Sequence, residues 1–507
     1  TELDKLRAIM KKTHYIFYIF LALAITGCGG RAALRQEPPS AVSAPGKFVD
    51  SAAVKRSLLA ARIDSLLADS SLAQAAVGVY IVAIDGKQEE LYAKNKSQLF
   101  TPASVNKLFT TAAAFKQWGP YHRFQTRVCG DSIDQHGRVN GDLYLQGLGA
   151  PDLKTSDLDR LAFALKATGL RFVAGDIVAN ASFFDTTAFG AGWMWDEGPY
   201  AYNAPVSALS LGGNAFDLGI RPGSKPGRKL FVEIDPLSAY FRLDNKGFTG
   251  KPEARKSLKA NRAFTGAQDE VRITGSLAQN APPLFLSRSV TNPKLYCATM
   301  FRAALARRGI KVKGKITTGE MPDSLPALSV VNSRPLYAIV QDMDKESDNF
   351  TAEMLFRNLN QDSTAAPDSG KNRAAQYLLD IGCAPESFAI ADGSGLSRYN
   401  LCTPEQLVKV LLSVYQNPVI RPELLVALPM AGIDGTLYQR MKNGEGRSKV
   451  RAKTGTMTGV SCLAGFAFGP GEKVYCFALM FNNYTAKADE VRPLQDEILR
   501  ELLFIAP

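Results

Sequence analysis

Thr101-Pro102-Ala103-Ser104-Val105-Asn106-Lys107 opens the segment on which the reading of the whole chain turns. Thr101 has the side chain of an N-cap and Pro102 suits a first helical position. The sequence therefore predicts a helix from here to about Trp118, where Gly119-Pro120 stops it. Ser104 and Lys107 then stand on one face, about one turn apart. At the third helical position Ser104 lies among free backbone N–H groups, where the helix dipole favours developing negative charge. A serine hydroxyl is a weak nucleophile until a base takes its proton. The chain has only 3 histidines, His14, His122 and His136, so Ser-His-Asp and Cys-His chemistries have few residues to draw on. A His-rich metal site is nearly impossible, and no cofactor is implied. The base must then be a neutral lysine, and a second cation nearby would lower its pKa.

Two further clusters supply the missing parts. Ser347-Asp348-Asn349 falls just inside a helix-like run, and Lys453-Thr454-Gly455-Thr456 falls on a strand-like one. Lys453 is the candidate second cation. Ser347 and Asn349 offer a hydroxyl relay and an amide to hold substrate or lysine. Gly455 lacks a side chain, so an extended substrate can lie along the strand edge. Thr454 and Thr456, with Lys453, can grip a carboxylate, and the N–H groups of Ser104 and Thr456 would form an oxyanion hole.

Around these clusters the hydrophobic pattern predicts an amphipathic helix over 51–69, then strands over 76–84 and 88–93 joined by Asp85-Gly86. From about 126 to 321 the texture changes to short strands, turns and basic loops, with one clear helix over 158–168. Helical texture returns at 335–360, 372–381 and 404–415. Two strands over 460–468 and 473–481 and a helix over 488–503 end the chain. The expectation is an α/β domain formed by 51–127 and 322–507, interrupted at 128–321 by a large β-rich insert of two subdomains.

S-x-x-K, S-D-N and K-T-G, in that order, are the signature of class A β-lactamases and penicillin-binding proteins. Asp392-Gly393-Ser394-Gly395-Leu396-Ser397-Arg398-Tyr399-Asn400, Gly192-Trp193-Met194-Trp195-Asp196 and Ala204-Pro205-Val206-Ser207-Ala208-Leu209 narrow the resemblance. Over about 55–507 the chain resembles the low-molecular-mass class C penicillin-binding proteins, the D-alanyl-D-alanine carboxypeptidase/endopeptidases of peptidase family S13. The resemblance implies a transpeptidase-like fold, an antiparallel sheet with flanking helices. It also implies Ser104 as the acylated nucleophile, Lys107 as base, and Ser347 and Asn349 as the second element. Lys453, Thr454 and Thr456 would grip the substrate carboxylate. Arg398 would stand beside the cleft, and Asp196 where the insert meets the stem peptide. Thr458 stands where some relatives carry a longer residue such as Gln, which bears on recognition of the stem's third residue. The implied reaction is serine-type cleavage of D-Ala-D-Ala termini or D-amino-acid cross-links in peptidoglycan, with β-lactams as covalent inhibitors. A β-lactamase is the first rival, but Glu386 is followed by Ile390 where class A enzymes place Asn, and the chain is far too long. A non-catalytic cell-wall binder is the second, and the intact motifs argue against it.

Composition agrees with a large exported protein. The 507 residues are 46% hydrophobic with 42 Gly and 27 Pro, ample for buried cores and unlike a collagen or a disordered chain. Residues 15–25 form an uncharged apolar run after Lys11 and Lys12 and end at Ile25-Thr26-Gly27-Cys28. That run is too short for an ordinary membrane span and suits a secretory signal. Met10 looks like the natural start, with 1–9 an upstream extension. The run resembles a bacterial lipobox with Cys28 as the lipidated residue, and 28–50 suits a flexible tether. Gly29 gives no inner-membrane retention signal, so the expected location is a periplasm-facing lipoprotein of the outer membrane. In an oxidising compartment Cys383 and Cys402 could pair, with free buried thiols as the alternative. The net charge of +12 is concentrated in 221–262, which holds 11 Lys/Arg against 4 Asp/Glu. Such a segment could rest against an anionic polymer or simply be a solvated loop. Nucleic acid is a poor partner for an exported protein. Gly309–Lys315 nearly spells a phosphate loop, but Ile316 replaces the required Ser/Thr.

Overall fold

The computed structural model describes residues 51–84, 86, 88–361 and 373–506. Cys28, the apolar run at 15–25, the tether and the turn residue Asp85 lie outside the described residues. A five-stranded antiparallel sheet carries the site. Its order is Val450–Met457, Val460–Phe468, Val474–Asn482, Ala76–Ala83, Glu89–Lys94. The central strand shows why this sheet forms. Phe477, Leu479 and Phe481 alternate with Cys476, Ala478 and Met480, and the two sets enter different cores, as a side-chain period of two requires. The helices Ser51–Leu67 and Ala488–Ile505 supply Leu59, Ile63, Ile498 and Leu502 to one core. The helices Lys107–Trp118 and Pro404–Tyr415 supply Leu108, Phe109, Leu407 and Leu411 to the other.

A third core gathers around a second five-stranded sheet, ordered Ile316–Thr318, Ile177–Asn180, Leu143–Gly147, Gln125–Gly130, Ala327–Asn332. Its first and last strands in the chain, Gln125–Gly130 and Ala327–Asn332, pair antiparallel, which brings the chain back to where it left the first core. Three three-stranded sheets and one two-stranded sheet extend this region.

Several local expectations need correction. The region 126–321 contains a second helix, Pro293–Arg307, capped by the Asn292 side chain on Leu295 N–H. Its buried face mixes Tyr296, Cys297, Met300 and Phe301 among alanines, so no clean amphipathic stripe announces it. The run 335–360 is two helices, Leu336–Glu346 and Asn349–Asn360, broken where Ser347 turns left-handed at φ 59°. The six cysteines from Cys129 to Cys476 are buried free thiols, so Cys383 and Cys402 stay unbridged. Part of the basic run is used internally: Arg242 pairs with Glu270, and Arg262 donates to Thr291 and Ser289.

Candidate active site

Thr101 is not the cap that the sequence suggested. A short 3₁₀ turn, Ala103–Asn106, precedes the α-helix Lys107–Trp118, and Pro102 stands at its start. Ala103 sits at φ 49°, a conformation that costs an L-residue roughly 1–2 kcal/mol, so a continuous helix cannot run through it. Thr101 instead ties the turn to the sheet: its N–H donates to Asn482 Oδ1 at 2.7 Å, and its carbonyl accepts from Asn482 Nδ2. Gly395, itself at φ 81°, seals the other side; a methyl there would lie 1.9 Å from the Ala103 carbonyl oxygen. Ser104 is thus presented by a strained turn clamped between the sheet and the 392–400 loop.

Lys107 is fully buried directly behind it. Its Nζ lies 3.1 Å from Ser104 Oγ, 2.7 Å from Asn349 Oδ1 and 2.6 Å from the Ser394 carbonyl. An ammonium would donate to all three. A neutral amine has two N–H donors and one lone pair; the two pure acceptors take the donors, and the lone pair is left for the Ser104 hydroxyl. Burial pushes the Lys107 pKa down to about 8, against the opposing pull of Asp392, Asp348, Asp344 and Glu353. Neutralisation therefore comes first from burial, where the sequence pointed to a neighbouring cation. The repulsion falls on the neighbour instead: burial and then the charge of Lys107 push Lys453 down to about 7.

Lys453 stands on the edge strand Val450–Met457 and donates to Ser347 Oγ at 2.8 Å. Asp348 caps the following helix by accepting from Phe350 and Thr351 N–H, which leaves Ser347 at the break and Asn349 in the first turn. Gly455 passes close to the backbone around Ser104. A methyl there would lie 2.5 Å from the Pro102 carbonyl oxygen, 3.0 Å from Val105 N and 3.1 Å from Ser104 N. Thr454 donates to Thr436 Oγ1 at 2.8 Å.

A cavity of about 630 Å³ opens over these groups, lined by Ser104, Asn349 and Thr456. Asp196, Glu197 and Tyr202 from the inserted region line it as well, as do Leu396, Arg398 and Met457. Arg398 donates to the Thr458 carbonyl at 3.1 Å. Of the residues that the sequence singled out within the described part, Ser104, Asn349, Thr456, Arg398 and Asp196 face this cavity. Behind it Lys107 is hydrogen-bonded to Ser104 and Asn349, and Lys453 to Ser347, while Thr454 and Gly455 share the strand of Lys453 and Thr456. Sequence reasoning missed two contributors. The Ser394 carbonyl holds Lys107, but every residue carries such an acceptor and nothing in the side chain advertises it. Asp344 is fully buried, accepts from Thr111 Oγ1 at 3.0 Å, and burial pushes its pKa up to about 6 against the pull of both lysines. It lay inside an ordinary-looking amphipathic helix.

A sequence model described as the D-Ala-D-Ala carboxypeptidase 3 (S13) family matches residues 59–502. A D-alanyl-D-alanine carboxypeptidase of Actinomadura sp. strain R39 is 33% identical over 467 residues, 89% of this chain and 86% of that one. The D-alanyl-D-alanine carboxypeptidase DacB of Haemophilus influenzae is 29% identical over 406 residues, 77% of this chain and 82% of its own. The crystal structure of penicillin binding protein 4 (dacB) from Haemophilus influenzae superposes with a TM-score of 0.76 at 27% identity, covering 87% of this chain and 98% of that one. A structure of the same protein complexed with a β-lactam gives a TM-score of 0.72 at 26% identity over the same shares.

Proposed function

The chain belongs to the D-Ala-D-Ala carboxypeptidase 3 (S13) family, and on that premise we propose how its residues carry out the reaction of a serine D-Ala-D-Ala carboxypeptidase and penicillin-binding protein. Ser104 Oγ attacks the carbonyl between two terminal D-alanines while Lys107 Nζ takes the hydroxyl proton. The backbone N–H groups of Ser104 and Thr456 receive the developing oxyanion. Collapse expels D-alanine, whose amine takes a proton relayed from Ser347 and Lys453, and leaves an ester on Ser104. Lys107 passes the proton it took back to the Ser347–Lys453 pair, and the neutral amine then activates a water that hydrolyses the ester, handing that water's proton to the departing Ser104 oxygen. Lys453, Thr454 and Thr456 hold the substrate's terminal carboxylate. The same steps cleave a D-amino-acid cross-link, so endopeptidase activity is part of the proposal. A β-lactam presents a similar carbonyl and carboxylate to the same groups and acylates Ser104.

The observation that carries this reading is the Lys107 amine, buried and 3.1 Å from Ser104 Oγ, with both its donor positions matched to fixed acceptors. Asp196 and Arg398 bring opposite charges to one cavity and so complement a stem side chain that bears both an amine and a carboxylate. The apolar run at 15–25 followed by Cys28 supports export and lipid attachment, with the catalytic region facing the periplasm. Fluorescent penicillin should label the protein, and Ser104→Ala should abolish both the label and release of D-alanine from a pentapeptide. Labelling that survives this substitution would remove Ser104 from the mechanism.

A further inference from the structure

Arg288 is a buried cation with no anion beside it among the described residues. It is 8% exposed on the strand Leu284–Ser289. Its Nε donates to the Ala260 carbonyl at 3.0 Å, one terminal nitrogen donates to the Ser287 carbonyl at 2.9 Å, and the guanidinium lies 4.8 Å from the centre of the Tyr200 ring. All three partners are neutral. Among the described residues no carboxylate lies within ion-pair distance of it. Buried guanidinium groups ordinarily face a carboxylate or phosphate, because leaving the charge uncompensated is costly. Arg288 lines a groove of about 270 Å³ together with Lys256, Lys259 and Tyr200, over a floor that includes Leu284 and Leu286. No acidic residue lines this groove, whereas Asp196 and Glu197 line the catalytic cavity.

Two stacked tyrosines connect the groove to that cavity. Tyr200, 45% exposed, lines the groove, and Tyr202 lines the cavity with Ser104; their rings are 5.6 Å apart and within 9° of parallel. Tyr200 also bridges backbone-to-backbone with Arg288, and the Tyr202 carbonyl accepts from Asn349 Nδ2 at 3.1 Å. The segment 199–203 is therefore held by the groove at one end and by the catalytic asparagine at the other.

The geometry points to this groove as a second substrate site that takes a carboxylate of a neighbouring stem peptide while another stem occupies the cavity at Ser104. The inference rests on the peptidoglycan reading above and deepens it. The planar guanidinium suits a carboxylate in two-point contact, the two exposed lysines steer it, and the leucines with the tyrosine face accommodate the peptide that bears it. Such a site distinguishes polymeric wall material from a short soluble peptide.

The test compares wild-type protein with K256A/K259A, whose side chains are exposed, and with R288Q. Each is assayed for kcat/KM on a short peptide ending in D-Ala-D-Ala and on multi-stem peptidoglycan fragments, and for sedimentation with insoluble peptidoglycan. The expected result is an unchanged rate for K256A/K259A on the short peptide and a roughly fivefold loss on the fragments, with weaker sedimentation. The wild-type advantage on fragments should fade at high salt. Fragments whose side carboxylates are amidated should not distinguish wild type from variant; if they do, the carboxylate assignment falls. A phosphodiester polymer that competes where carboxylate fragments do not would likewise overturn it. Equal behaviour of wild type and variant on both substrates would sink the site itself. Failure of the wild type on the short peptide would instead count against the proposed function, and sedimentation reads the groove independently of turnover.

Discussion

Trp193 Nε1 donates to Asp392 Oδ2 at 2.7 Å, across 199 residues of chain, and so fastens the inserted region to the loop that holds Lys107. Asp392 is fully buried and also accepts from Ser394 Oγ, Gly395 N–H, Ser397 N–H and Asn400 Nδ2. The fold of that loop aims the Ser394 carbonyl at Lys107. Asp392→Asn places an amide where only acceptors fit and orphans at least one buried donor. Removing a buried charged acceptor costs about 3 kcal/mol, so thermal unfolding should move down by several degrees and penicillin acylation should slow by at least tenfold. Trp193→Phe removes one donor to the same carboxylate and should lose about 1–2 kcal/mol with a smaller effect on acylation. Unfolding midpoints and acylation rates of both variants check the order.

The buried lysines set a pH dependence whose sign follows from direction alone. As the proposed base, Lys107 acts when neutral, and burial lowers its pKa to about 8, so acylation should rise with pH through about 8 and then level. For stability, an unfolded lysine titrates near 10.4 and thus binds more protons than the folded pair between about 7 and 10. Stability should therefore rise with pH across that window. Lys107→Met should flatten the acylation profile and reduce, but not remove, the rise in stability, because burial still lowers Lys453. Acylation that stays level from pH 6 to pH 9 in the wild type would exclude Lys107 as the base.

The sheet, its flanking helices and the motif residues were legible because each depends on short-range pattern. The 476–481 strand declares itself by an uninterrupted apolar run, and Ser347-Asp348-Asn349 by its motif. What escaped depends on conformations that composition does not encode. Ala103 and Ser347 both adopt positive φ although neither is glycine; Ala103 is packed against Gly395, while Ser347 bonds back to Met343 and across to Lys453. Thr101-Pro102 spells a helix start by local rules, and the close approach of Gly395 and Asn482 overrides it. The helix Pro293–Arg307 was hidden because it is buried against sheet and helix together, which leaves no polar stripe to give a period. The lysine's acceptors were legible only in part: Asn349 by motif, the Ser394 carbonyl not at all.

Gly455 is a glycine for lack of space. A methyl would meet the Pro102 carbonyl oxygen at 2.5 Å and the amide nitrogens of Ser104 and Val105 at 3.1 and 3.0 Å. These are backbone atoms of a clamped turn and cannot swing aside as a side-chain tip would. Gly455→Ala should push the strand outward and separate the two N–H groups assigned to the oxyanion. Loss of one such donor typically costs about 10²–10³ in rate; partial displacement should cost about tenfold or more. Stability should change less, because the strand keeps its pairing with Val460–Phe468. Stopped-flow acylation beside thermal unfolding separates the two effects.

Asn349 Oδ1 accepts from Lys107 at 2.7 Å, and its Nδ2 donates to the Tyr202 carbonyl at 3.1 Å. Asn349→Asp is nearly isosteric, so the fold should persist, but it sets a carboxylate against the base. An opposite charge at this distance favours the ammonium and raises a lysine pKa by roughly 1–3 units. At neutral pH the variant should acylate at least tenfold more slowly. Because the defect is protonation rather than misplacement, its rate should climb back as pH approaches 10, with the ascending limb moved upward by about the same shift. Asn349→Ala removes the acceptor without adding charge and should slow acylation with no such displacement. A pH–rate profile of penicillin acylation for the three proteins decides the matter. If Asn349→Asp loses rate equally at every pH, the amide serves substrate contact alone, and the tuning of Lys107 lies with burial and the Ser394 carbonyl.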